Sequence, residues 1–351
     1  MQSTPLHHYN NFNLLRLLGA ACVLFSHTYY VVGQSEKEPL NLLLNGALEA
    51  SGVGLTIFFF ISGYFITKSA TETHSVLLFL KKRALRIYPA LIVLVVLSIF
   101  LAGPLLTSLS LGEYFTSKET WLYLGVSTGF WIRTGLPGVF STPAYYVHAF
   151  NTSLWSITLE LELYASIAVL LWTGLLRKKA FGLLAGCIVL ISFLTVSFKQ
   201  DISVNIARQL NLIAIFYSGS FVYAASIKAK HLLLIAFLTA ILYFIFSADR
   251  INSFMTAPLL LLCICCCVYL IGSSKKIVVP FNTDISYGVY IYAFPVQQIM
   301  YRLSGYNNSV MLSLLYSGLA TIALAFASWH LIEKRFLVLK YGSLSTRNLK
   351  N

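Results

Sequence analysis

The chain is divided into long apolar runs, each about as long as a helix that crosses a bilayer. A helix needs about 20 consecutive apolar residues to span the hydrocarbon core. Since backbone polar groups must be bonded within the chain there, we predict that these runs are helices. Ten such runs lie at roughly 13–32, 45–67, 87–108, 153–175, 180–198, 209–226, 231–247, 254–272, 284–302 and 309–332.

The composition points to the same class of protein. Of the 351 residues, 58% are hydrophobic and only 11% are charged, whereas a soluble protein has about a quarter of its residues charged. We therefore expect an all-α, polytopic integral membrane bundle of about ten transmembrane helices. The first run has no Lys or Arg before it and no small-residue cleavage site after it, so we expect a permanent span.

The basic residues predict the orientation of these helices. With the N-terminus in the cytoplasm, 17 of the 25 Lys and Arg residues fall in cytoplasmic connections, seven in external ones, and Arg16 within a span. Membrane proteins concentrate Lys and Arg in cytoplasmic loops. Both termini are thus predicted to be cytoplasmic, and the net charge of +13 is not read as a nucleic-acid surface.

We expect one domain over residues 1–351, with no repeat and no appended soluble domain. The one long connection, roughly 109–152, is external and rich in aromatic residues, among them Trp121, Trp131, Tyr145 and Tyr146. Its middle, WLYLGVSTGFWI, is predicted to form a short helix. The rings suit either an interfacial belt or stacking on a sugar.

The six cysteines lie in apolar runs, and neither a disulfide framework nor a metal site is expected.

Two ionisable residues lie in the first apolar run, LLRLLGAACVLFSHTYYVVG. Arg16 and His27 are eleven residues apart, which places them on one face of a helix and roughly 16 Å apart along its axis. Ionisable residues are expensive inside a bilayer and suggest function. A snorkelling arginine and a histidine bonded to a neighbouring helix would explain them equally well.

A second polar group begins the fourth span, in LWSITLELELY, residues 154–164. Glu160 and Glu162 lie about 200° apart around a helix, while Ser156 and Glu160 share a face. By helical rise, Glu160 lies about 10 Å and His27 about 7 Å below the outer surface. A carboxylate at this depth is suited to orienting a histidine that takes up a proton.

On the predicted cytoplasmic side, Arg83 and Arg86 share one helix face in FLKKRALRIYPAL. Planar guanidinium groups suit phosphates, such as those of coenzyme A, although a positive-inside cluster is the simpler explanation. Together with His27 and Glu160, they describe transfer from a cytoplasmic donor to an external acceptor. A transporter is not excluded by these residues.

At these positions the chain resembles the membrane-bound acyltransferase-3 family, bacterial proteins that O-acylate surface glycans. The resemblance rests on six stretches in order: Arg16-x10-His27, GVGLTIFFFISGYFIT at 52–67, Arg83-x2-Arg86 with Ile87 and Pro89, LWSITLE at 154–160 with Tyr164, ISYGVYIYAFPV at 285–296, and LIEKRF at 331–336. Ala293 stands where many relatives have histidine, and Arg335 stands where the closing motif usually has proline.

The resemblance implies transfer of an acetyl group from cytoplasmic acetyl-CoA to a hydroxyl of a lipid-linked or exported saccharide, in the bacterial inner membrane. His27 would be the catalytic base or an acyl-carrying relay, with Glu160 as its support. The donor would be held by Arg16, Arg83 and Arg86. Supporting positions would be Trp155, Ser156, Tyr290 and Glu333. Acetyl-CoA would be a substrate, with no permanently bound cofactor and no metal.

Two alternatives stay open at this point. One is a proton-coupled carrier or flippase for a saccharide intermediate, in which His27 and Glu160 form a proton relay; carriers often show inverted repeats, and none is seen here. The other is the same enzyme type with succinyl-CoA as donor. The sequence does not identify the acceptor sugar or the oligomeric state. It also does not distinguish direct transfer from a relay through acyl-His27.

Overall fold

The computed structural model describes residues 11–73, 75–131, 133–141, 148–177, 180–198, 202–248, 253–274, 283–307 and 309–341. Within these ranges the chain forms helices and no strand. The α-helices are α1 (Phe12–Val31), α2 (Pro39–Leu43), α3 (Ala50–Glu72), α4 (Val76–Leu97), α5 (Gly103–Leu106), α6 (Leu111–Thr116), α7 (Lys118–Leu122), α8 (Trp155–Trp172), α9 (Ala180–Phe198), α10 (Val204–Ala224), α11 (Ala229–Ala248), α12 (Ser253–Gly272), α13 (Ser286–Leu303), α14 (Val310–Ser328) and α15 (Lys334–Tyr341).

Two π-helical turns join consecutive helices into longer ones. Ser98–Ala102 connects α4 to α5, and Trp329–Glu333 connects α14 to α15. Serine hydroxyls cap helix N-termini by accepting a backbone N–H, as preferred at these positions; the capping residues are Ser75, Ser110, Ser117, Ser203 and Ser309.

Eight described helices are long and apolar enough to cross a membrane: Phe12–Val31, Ala50–Glu72, Val76–Leu106, Trp155–Trp172, Ala180–Phe198, Ala229–Ser247, Met255–Gly272 and Val310–Leu339. The chain is thus an all-α polytopic membrane protein. Helices α10 and α13 occupy the predicted sixth and ninth spans but are less apolar. The third span starts at Val76 rather than near 87, because the helix continues through the basic residues. A total of ten spans and cytoplasmic termini stay predictions.

Contacts within the chain group it into two compact units, and whether they act as the one predicted domain stays a prediction. The first contains residues 1–19, 52–67 and 179–284. In it, α3 and α10 pack backbone against backbone through Gly63 and Gly219, which lie against the carbonyl oxygens of Phe216 and Phe60. Thr67 donates a hydrogen bond to Ser220 at 2.9 Å.

A methyl group at Gly63 would overlap the backbone carbonyl of Phe216, which cannot rotate away as a side chain would. We expect Gly63→Ala to lower the free energy of unfolding by about 1–3 kcal/mol, as overpacking does. Gly182→Ala in α9 is the matched control, because an added methyl there meets nothing within 4 Å. Thermal unfolding of both purified variants measures this, and equal midpoints would contradict the close packing of α3 and α10.

The second unit contains residues 20–51, 68–178 and 285–351. Its helix α13 is enclosed, with 13 of its 18 residues buried, which explains why it tolerates polar side chains. Pro295 has no N–H to donate to the carbonyl of Ile291 one turn earlier. Asn151 supplies the missing donor, with Nδ2 2.9 Å from that oxygen.

The predicted short helix in the long connection is present as α7 followed by a 3-10 turn, Tyr123–Thr128. Several of its rings are packing residues: Tyr114 and Tyr123 are buried, and burial raises the pKa of Tyr114 to about 12. Trp121, Phe130 and Trp131 are exposed. Tyr145 and Tyr146 lie outside the described residues.

Candidate active site

His27 lies in α1 against an aromatic residue of α13. Its ring packs edge to face on Phe294, with centroids 5.3 Å apart, and contacts Tyr30 at 6.4 Å. The side chain is partly buried. Its Nδ1 atom is enclosed and has no hydrogen-bond partner within the described part of the chain. The imidazole is thus held by packing, and its Nδ1 makes no hydrogen bond among the described residues.

Arg16 lies on the same uninterrupted helix, as predicted, but belongs to the first unit. Its Nη1 is 3.9 Å from Asp284 Oδ2 and 3.2 Å from Asn13 Oδ1, to which it donates. The guanidinium also lies over the ring of Phe65, 5.7 Å from its centroid. An ion pair and a cation–π contact hold Arg16 in place. Asp284 is the first residue of the predicted ninth span, but the sequence around it does not show that its partner is Arg16.

Helix α8 presents its two glutamates to different surroundings, as their spacing predicts. Glu162 is exposed, whereas Glu160 is partly buried and accepts a hydrogen bond from Tyr164. Within the described residues no hydrogen bond or ion pair joins Glu160 to His27. The support of His27 by Glu160 stays a prediction.

The start of α8 is tied to α13 through hydroxyl groups. Ser156 Oγ and Tyr290 OH are 2.6 Å apart, and Tyr290 also donates to the carbonyl oxygen of Ser153 at 2.9 Å. Both predicted supporting residues are buried, while Trp155 is partly buried. This network fixes the turn that precedes Glu160.

The two arginines of α4 have different partners. Arg83 donates from Nη2 to Ser69 Oγ at 3.2 Å. Arg86 Nη1 lies 3.9 Å from Glu333 Oε2, and its guanidinium lies over the ring of Tyr287. Glu333, only 2% exposed, belongs to the π turn after α14, an arrangement often found at functional sites.

The surroundings of Glu333 explain how a carboxylate is held inside the bundle. Ser328 donates to its Oε1 at 3.1 Å, and Tyr292 donates to Ser328 at 3.3 Å. Gly288 of α13 allows close approach, because a methyl there would lie 3.0 Å from Ala325 of α14 and 3.3 Å from Glu333 Oε1. The structure thus joins two predicted site residues, Arg86 and Glu333, that the sequence analysis had not paired.

Sequence analysis also missed Gln297 of α13, which is almost fully buried. Its Nε2 donates to the carbonyl oxygen of Leu24 and to the hydroxyl of Thr28. These residues flank His27 along α1. A glutamine in an otherwise apolar helix was the available signal, but the partner on α1 was not readable from it.

Comparison with known proteins places these residues in a family. The acyltransferase-3 family model, described as an acyltransferase domain, matches residues 9–330. An O-acetyl transferase of Shigella phage Sf6 is 32% identical over 97% of this chain and 99% of its own length. Nodulation protein 10 of Rhizobium leguminosarum bv. viciae is 27% identical over 97% and 96%.

No solved structure matches the chain. The family match covers most of the sequence and favours a group-transfer enzyme over a carrier. It includes the first span with Arg16 and His27, the α4 arginines, the start of α8, and α13. The chain belongs to the acyltransferase-3 family and is a membrane-embedded acyltransferase.

Proposed function

We propose that this enzyme transfers an acetyl group from cytoplasmic acetyl-CoA to a hydroxyl of a lipid-linked or exported saccharide at the bacterial inner membrane. The observation that carries the proposal is end-to-end similarity to a protein named as an O-acetyl transferase. A histidine in a membrane-spanning helix, whose Nδ1 makes no hydrogen bond among the described residues, supports it. Ten spans with both termini in the cytoplasm are part of the proposal.

In the proposed reaction, neutral His27 removes the proton of the acceptor hydroxyl as its oxygen attacks the thioester carbonyl. The tetrahedral intermediate then collapses, the C–S bond breaks, and the proton moves from His27 to the departing thiolate of coenzyme A. A positioned base of this kind contributes about 10²–10⁴-fold to rate. Glu160 stabilises the imidazolium in this scheme once the substrate is bound. A relay through acyl-His27 gives the same products in two steps.

The donor is proposed to bind through the arginines of α4, with Arg16 as a further contact. Arg83 is a candidate because its Nη2 donates to the neutral hydroxyl of Ser69, a partner that a phosphate oxygen can replace. Exchange of a serine hydroxyl for a phosphate oxygen costs a guanidinium little. Arg86 has the carboxylate of Glu333 beside it.

Labelled acetyl-CoA and inside-out membrane vesicles test this proposal, with glycan present as acceptor. We expect transfer of label to glycan, and Arg83→Ala to raise the donor KM by about 10- to 100-fold, as loss of a hydrogen bond to a charged group does. Lys81→Ala is the matched control, since it removes one exposed positive charge from the same helix. It should leave the donor KM within about twofold.

Two outcomes would contradict parts of the proposal. No transfer by the wild-type enzyme from acetyl-CoA, but transfer from labelled succinyl-CoA, would change the donor and keep the reaction class. An equal effect of Arg83→Ala and Lys81→Ala on the donor KM would show that Arg83 contributes only a general positive charge and no specific contact to the donor.

A further inference from the structure

The side chain of Gln297 has a fixed orientation. Its Nε2 lies 2.6 Å from the carbonyl oxygen of Leu24 and 2.8 Å from Thr28 Oγ1. A backbone carbonyl only accepts hydrogen bonds, so the atom facing it must be the amide nitrogen. The other amide atom, Oε1, is consequently assigned as an acceptor.

This oxygen is buried without a hydrogen-bond donor in the described part of the chain. Gln297 is 2% exposed, and its Oε1 has no hydrogen-bond partner within the described residues, as is true of His27 Nδ1. An unsatisfied buried polar group costs about 1–3 kcal/mol, and such groups are few in native proteins. Eleven buried side-chain atoms of the described residues share this state. Gln297 Oε1 and His27 Nδ1 are distinguished because both belong to one contact, where a bound molecule with hydroxyl groups would supply the missing donor.

Both atoms belong to the contact between α1 and α13 around His27. Phe294, one turn before Gln297, packs on the imidazole at 5.3 Å between centroids. The Gln297 amide bonds to the residue immediately after His27 and to the carbonyl of the residue one turn before it. The same pair of helices thus holds a base and an unsatisfied acceptor.

We propose that Gln297 binds the saccharide acceptor, with Oε1 accepting a hydrogen bond from a hydroxyl next to the one that reacts at His27. The inference rests on the proposed function and adds to it the requirement for a second free hydroxyl on the acceptor. Gln297 takes no part in bond making. Ordered water is the other source of a donor hydroxyl, and the experiment separates the two.

Steady-state kinetics with acceptor varied provide the test. The probe is glycan extracted from the source cell and stripped of its esters by mild alkali, with labelled acetyl-CoA at saturation. Gln297→Met removes Oε1 and keeps the side-chain length. We expect the glycan KM to rise by about tenfold, the value of one hydrogen bond, with kcat and the donor KM within about twofold.

Two control variants separate acceptor binding from a structural clamp. Gln298→Met changes the adjacent buried glutamine, which donates to the carbonyl of Ala149 instead. Thr28→Val removes one partner of the Gln297 amide but leaves Oε1 in place. Neither change removes Oε1 of Gln297, so we expect both to leave the glycan KM at the wild-type value. If Gln297→Met does not fold, Gln297→Asn shortens the side chain while keeping the amide, and the same rise is expected.

An unchanged glycan KM in a folded Gln297 variant would overturn the inference and assign Oε1 to water, while transfer by the wild type would leave the proposed function standing. Equal effects of Gln297→Met and Thr28→Val on kcat would overturn it in favour of a clamp. Absence of transfer by the wild type would remove both proposals.

Discussion

His27→Ala is expected to lower kcat for acetyl transfer by about 10²–10⁴-fold, the contribution of a positioned general base. The protein should still fold. The imidazole makes no hydrogen bond through Nδ1, so its removal leaves no buried donor or acceptor without a partner. Its packing on Phe294 is worth about 0.5–1.5 kcal/mol. Label transfer in vesicles at matched expression, together with thermal unfolding, measures both quantities.

The matched control for this prediction is His231→Ala, which removes an exposed histidine from the start of α11. We expect the His231→Ala variant to have the kcat of the wild type. If His27→Ala keeps more than about a tenth of the wild-type kcat, a smaller loss than a general base gives, the base must be another group. If instead the variant unfolds while His231→Ala does not, the histidine is a structural element of α1.

The sequence was sufficient to predict most of the helices, because each has to bury about 20 residues in hydrocarbon. Helix α1 was expected at 13–32 and is Phe12–Val31. The start of α4 was missed, since hydropathy falls at Lys81–Arg86 although the helix continues through them. Hydropathy indicates which part of a helix lies in lipid, whereas the helix itself can continue beyond that part.

The site was predictable one residue at a time, but its pairings were not. His27 and Glu160 were placed at matching depth, and in the structure Glu160 accepts a hydrogen bond from Tyr164 of its own helix. Helical rise sets height along an axis, whereas contact also requires the two side chains to face each other, which depends on tertiary packing. The same limit hid the pairing of Arg86 with Glu333, which lie in different helices and far apart in sequence.

The ion pair between Arg86 and Glu333 predicts a large effect on stability. Glu333 is almost fully buried, and Arg86 is about three-quarters buried, its side chain 23% exposed. Removal of one partner of a buried ion pair leaves an uncompensated charge and costs about 3–5 kcal/mol. We therefore expect Arg86→Met to unfold at a much lower temperature than the wild type. Glu333→Met should cost less, since the more exposed guanidinium is better placed to reach water.

The double variant Arg86→Met, Glu333→Met separates stability from donor binding. Apolar replacement of both partners is often neutral for stability, so its unfolding midpoint should return toward the wild-type value, well above that of Arg86→Met. If Arg86 also binds the donor, this folded double variant will keep a donor KM raised by about 10-fold or more. Recovery of the wild-type donor KM would instead show that Arg86 serves to hold Glu333 and the π turn, leaving Arg83 as the phosphate-binding arginine of α4.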